Sequence, residues 1–148
     1  MRRLTYSADI WQSLSKRREE TLAKVFGVHV VELKPGTTPE FFERFVLEQF
    51  LPALPLDRTP GVRAYLLKAD RGARANQFLW MFEFDSVEIR DRYFPEVLTI
   101  SNELKALIEP LHDVAQIWEG ASTRTKTDYV VLGQAGCSME DDGKASAC

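Results

Sequence analysis

An α+β fold in the order strand-helix-strand-strand-helix-strand is predicted by three features of this sequence. Residues 77–84 put Phe78, Trp80, Phe82 and Phe84 on one face of a strand and Leu79 and Met81 on the other, so both faces want cover and the strand reads as interior. Thr38-Pro39-Glu40 is a helix start: Thr38 caps, Pro39 suits the first turn, and Glu40 sits at the positive end of the dipole. A second helix start follows the aromatic strand directly, with Asp85 as cap and Glu88 three residues on in a capping-box pattern.

The elements follow in order. Residues 8–24 are helix-compatible, with Ile10, Trp11, Leu14 and Leu22 on one stripe and Lys16 to Glu20 as a solvated face. Residues 26–33 form the first strand. Gly27, His29, Val31 and Leu33 share one face, Phe26, Val28, Val30 and Glu32 the other, and Lys34-Pro35-Gly36 ends it. Phe42, Phe45, Val46 and Phe50 then repeat as a buried helix face, which Pro52 and Pro55 are expected to close. After a loop over 56–60, residues 61–70 make the second strand, with Val62, Ala64 and Leu66 opposite Arg63, Tyr65 and Leu67. A polar hairpin loop over 70–76 leads into the aromatic strand. The helix begun at Asp85 runs to about Phe94 and stops at Pro95. Ser101 caps a further helix carrying Leu104, Leu107, Ile108 and Leu111, limited by Pro110. Residues 113–119 read as the fourth strand and 129–133 as a short fifth.

This order is the ferredoxin-like arrangement: an antiparallel sheet with its helices on one face, here with an N-terminal helical extension (1–25), a core domain (26–133) and a tail (134–148) without periodicity that reads as disordered. The other sheet face is left bare. An exposed aromatic sheet is an association surface, so a homodimer through that face, closing an α/β barrel, is expected.

Composition excludes several function classes. The chain has 148 residues, 45% hydrophobic and 28% charged, which fits one globular domain with a real core. No apolar run approaches the roughly 20 residues that span a bilayer, and the basic N-terminus has no apolar stretch behind it, so a cytoplasmic chain is expected rather than a membrane or secreted one. A net charge of −3 gives no general attraction to nucleic acid. The only cysteines, Cys137 and Cys148, lie in the tail, and the only histidines, His29 and His112, have no ligand-spaced partners. No metal site or cofactor is therefore expected. No Gly-rich phosphate loop or nucleophile elbow is visible.

The strand ending in Lys34-Pro35-Gly36, the helix start behind it, and Phe82-Glu83-Phe84-Asp85-Ser86 opening the second helix resemble the dimeric α/β-barrel superfamily, over about residues 26–119. That group includes antibiotic-biosynthesis-type monooxygenases, haem-degrading monooxygenases and many uncharacterised bacterial proteins. The resemblance implies a homodimer and a pocket between sheet and helices. Position by position, His29 stands where haem-degrading members carry an Asn, Phe84 where they carry a Trp, and Phe94 where they carry the ligating His. A conventional haem-degrading site is thus not expected.

His29 is the leading polar candidate, because a neutral imidazole on an otherwise apolar strand face both donates and accepts and titrates near neutral pH. It is the candidate acid/base. Tyr65, Trp80, Phe82 and Phe84 are the candidate ligand-binding aromatics, with plain core packing as the alternative for each. Three functions remain open: a barrel that binds a small apolar or aromatic molecule, a cofactor-independent monooxygenase on an aromatic or polyketide-like substrate, and a structural or regulatory dimer without a ligand.

Overall fold

The computed structural model describes residues 12, 23–97 and 99–136 of the chain. Gln12 and residues 23–24 aside, the helix expected over 8–24 lies outside that range, as do Cys137 and Cys148. Four strands form one antiparallel sheet: β1 (Val25–Leu33), β2 (Val62–Lys68), β3 (Phe78–Phe84) and β4 (Ser122–Val130). Their order is β2-β3-β1-β4, two interleaved β-α-β units of the ferredoxin-like fold. The sheet is open, with β2 and β4 as its edges, and is not a closed barrel.

Helix α1 (Pro39–Phe45) begins as the sequence dictates, with the Thr38 hydroxyl accepting from the Phe41 amide. It does not stop before Pro52. The chain passes through a π turn at Val46–Phe50, where the Leu51 amide reaches back five residues to the Val46 carbonyl, and completes a last turn at Leu51–Ala53. Proline has no N–H to continue the ladder, and the widened turn just before it accommodates that loss. Phe42, Phe45 and Val46 are buried, as their spacing predicts.

Helix α2 (Val87–Tyr93) is capped by Ser86, not Asp85: the Ser86 hydroxyl accepts from the Ile89 amide at 3.2 Å. Asp85 instead pairs with Arg63 across the strands at 2.7 Å. The helix ends where Pro95 keeps Phe94 out of helical backbone. Ser101 caps α3 (Asn102–Ile108), as expected.

The largest correction concerns the C-terminal third. Residues 113–119 are not a strand. A 3-10 turn at Glu109–Leu111 leads into α4 (His112–Ala121), and Pro110 occupies the opening of that turn, where its missing N–H costs nothing. Val114, Trp118 and Ala121 fall at i, i+4 and i+7 and pack on the core. The fourth strand is Ser122–Val130. The fifth strand expected over 129–133 does not exist among the described residues: Tyr129 and Val130 end β4, and residues 131–136 have no regular structure.

All the described helices cover one sheet face. Val31, Phe78 and Trp80 meet Phe42, Phe45, Val46 and Trp118 there. Trp118 is 1% exposed, stacks on Phe50 at 4.4 Å and meets Trp80 edge-on at 5.4 Å. The other face carries Phe26, Val28, Val30, Leu79 and Met81, half-buried, with Tyr65, Leu67 and Tyr129 exposed. Glu83 anchors a polar network on that side, accepting from Lys24, Arg63 and Tyr65 at 3.1–3.2 Å.

Candidate functional site

Between the sheet and the helices lies a cavity of about 410 Å³. It exists because the helical layer is broken. α2 ends early at Pro95, α1 finishes in the loop through Pro55 and Thr59, and the space between them is walled by α3 and α4 rather than filled. Phe50, Leu54, Phe82, Phe94, Leu104 and Ile108 make the lining predominantly apolar. The volume falls in the range that holds a small organic molecule.

Its polar groups are few. Thr59 is 3% exposed, and its hydroxyl donates to the Pro55 carbonyl at 3.2 Å. Tyr93, 1% exposed, also lines the cavity, and its hydroxyl is buried with no hydrogen-bond partner among the described residues. Glu119 and Arg124 stand together in the wall, bridging the end of α4 and the start of β4 as an ion pair.

Strand β4 supplies a polar row that faces the helices: Ser122, Arg124, Lys126 and Asp128 alternate inward, while Thr123, Thr125 and Thr127 face out. Arg124 sits over Trp118 at 4.8 Å, and Lys126, whose side chain is only 7% exposed, sits over Phe94 at 4.5 Å. Burial pushes the Arg124 guanidinium below its usual range, against the pull of Glu119. Asp128 is held by Arg90 at 3.5 Å and Lys126 at 3.8 Å. It fits because residue 27, its partner across the sheet, is glycine: a Cβ there would come within 3.1 Å of the Asp128 carboxylate. Phe94 also borders a smaller recess of about 170 Å³, lined by Arg90 and Asp128.

His29 lies on the helix-facing side, paired across the sheet with Trp80 and Lys126. Its Nδ1 is 3.2 Å from the Trp80 carbonyl, so that nitrogen carries the proton and donates. The ring meets Phe82 edge-on at 6.0 Å. Desolvation lowers the imidazole pKa from 6.5 to about 4; the Trp80 carbonyl opposes the shift, and Lys126 and Arg124 reinforce it. The ring is therefore neutral at pH 7.

The structure brings only part of the sequence-predicted set together. Phe82 lines the cavity, and His29 contacts Phe82 from behind without itself lining the cavity. Trp80 (2% exposed) and Phe84 (0%) are packed in the core. Tyr65 lies on the opposite sheet face, its hydroxyl donating to Glu83. Tyr93, Phe94, Glu119 and Arg124 were missed as site residues. Alternation of Thr with charged residues over 122–128 was the signal for a strand with a polar inner face, and it contains no apolar period to notice. His112 opens α4 and is exposed. Among the described residues no group of three His, Cys, Asp or Glu side chains is placed to hold a metal, and no helix is long and apolar enough to cross a membrane.

The architecture defines an α+β chain of ferredoxin-like topology with an internal apolar cavity. No family model matches the chain, and no curated protein is similar to it. Among solved structures it is similar to SnoaB, a cofactor-independent oxygenase from Streptomyces nogalater, at 16% identity over 76% of this chain and 96% of that one, with a TM-score of 0.48. It is also similar to a dimeric protein of unknown function and ferredoxin-like fold from Bacteroides fragilis (15% identity, 73% and 96% covered, TM-score 0.44). A third is an uncharacterised NIPSNAP-like domain protein from Burkholderia xenovorans (14%, 77% and 88%, TM-score 0.46).

Proposed function

We propose that this chain binds an apolar small molecule in the cavity between its sheet and helices. The observation that carries this reading is the cavity of about 410 Å³, apolar but for a few groups. A core meant only to be stable fills such a space, because voids cost stability in proportion to their volume. The aromatic rings of Phe50, Phe82 and Phe94 suit a flat ligand.

Binding is favoured over oxygenase chemistry. Taking a proton from a phenol-like substrate calls for a base with a pKa near the working pH. An imidazole titrating at about 4 is a weak one, and His29 lies behind the lining rather than in it. Self-association through the outer sheet face belongs to the same proposal, supported by the exposed Tyr65, Leu67 and Tyr129 around half-buried Val28 and Met81.

The neutral dye N-phenyl-1-naphthylamine tests the cavity. It should bind the full chain saturably with a rise in fluorescence. Ile108→Trp, which puts an indole into the cavity, should abolish that signal while leaving the far-ultraviolet circular dichroism unchanged. Absence of dye binding, or binding that Ile108→Trp leaves intact, refutes the reading.

A further inference from the structure

Among the described residues, the cavity wall carries the Glu119–Arg124 ion pair. Arg124 projects inward from an edge strand, paired across the sheet with Val31, at a position where an apolar residue is the ordinary choice. Its side chain is 26% exposed, and the guanidinium sits over the Trp118 ring at 4.8 Å. A guanidinium carries five N–H donors in a fork that matches a carboxylate. Among the described residues its one hydrogen-bond partner is Glu119, through a single nitrogen.

Glu119 is the looser member. Its side chain is 65% exposed and, among the described residues, is held by Arg124 alone. A carboxylate that is mostly solvated loses little by swinging into water, whereas the less exposed guanidinium gains more from an anion beside it. Lys126, two positions along the same inward row, adds a second cation behind Arg124.

We propose that the cavity takes an apolar carboxylic acid as its carboxylate, anchored by Arg124, with Glu119 as the internal acid that the ligand displaces. This inference rests on the cavity being a binding site. It adds the ligand's charge, the residue that reads it and the residue that competes. The ligand's apolar body lies among Phe82, Phe94 and Ile108, and its acid group lies at the β4 wall.

Displacement of N-phenyl-1-naphthylamine from the full chain at pH 7.5 tests it, using 2-naphthoate, its neutral analogue 2-naphthamide, and the cationic 2-naphthylmethylamine. The acid should compete at least tenfold more tightly than the amide, and the amine least well. Arg124→Gln should bring acid and amide within twofold of one another, and Arg124→Lys should keep part of the preference. Glu119→Gln should tighten the acid several-fold by removing its competitor. Equal competition by acid and amide, a preference for the amine, no competition by any of the three, or a preference that survives Arg124→Gln each overturns the proposal. If the dye binds and Ile108→Trp abolishes that binding, these outcomes sink the carboxylate inference alone; if the dye does not bind at all, the cavity reading falls with it.

Discussion

Acidification from pH 7.5 to 4.5 should destabilise this protein in part through His29. In the unfolded chain a histidine has a pKa of about 6.5. In the fold, desolvation against Phe82 and the core lowers it to about 4, despite the Trp80 carbonyl at 3.2 Å. The unfolded state therefore binds the proton first. His29's contribution is fully present above about pH 6.5 and is lost progressively as the pH falls toward 4. A shift of this size in a fully buried group corresponds to about 3 kcal/mol. His29 is only part-buried, so solvent screening reduces the figure to about 1–2 kcal/mol. Denaturant unfolding of the wild type and of His29→Gln at the two pH values isolates the effect, because the other titrations are common to both chains. The wild type should lose about 1–2 kcal/mol more than the variant. The imidazole signals of the two histidines, assigned with the same variant, give the pKa directly by NMR. A His29 midpoint at or above 6.5, or equal losses in the two chains, would refute the reasoning.

Two further outcomes follow from particular residues. Gly61 has φ +85°, and a Cβ there would stand 2.5 Å from Ile89 Cδ1, so Gly61→Ala should cost about 1–3 kcal/mol and lower the melting temperature by several degrees; a change under one degree would contradict the strain. Met81 lies between Tyr65 and Val28 at the middle of the outer sheet face. The wild type should sediment as a dimer at micromolar concentration and Met81→Lys as a folded monomer, and a monomeric wild type would remove the self-association proposal.

Much of the fold was legible in the sequence wherever one physical signal dominated. The Phe78 to Phe84 alternation marks a central strand because period two is imposed by the backbone, and no other element uses it. Thr38, Pro39 and Ser101 mark helix starts because orphan amides need a local acceptor, and the capping side chain lies in the adjoining residues. The same parity argument groups His29 with Gly27, Val31 and Leu33, and the strand register puts that set on the helix-facing side.

Tertiary contacts decided the rest. Asp85 and Ser86 are both good caps, and the choice fell to Ser86 because Arg63, distant in sequence, draws Asp85 away. Residues 113–119 turn helical because Trp118 finds Phe50 and Trp80 only if Val114, Trp118 and Ala121 share a face, a pairing no local propensity encodes. Strand β4 has no apolar period of its own. It is a strand because β1 supplies the ladder, and its inward Arg124, Lys126 and Asp128 persist because Trp118, Phe94, Glu119 and Arg90 meet their charges. Local rules set by backbone geometry are written in neighbouring residues. A buried charge is tolerated only by partners brought from elsewhere in the chain, so Phe82 was marked in the sequence while the charged wall of the candidate site came from the tertiary structure.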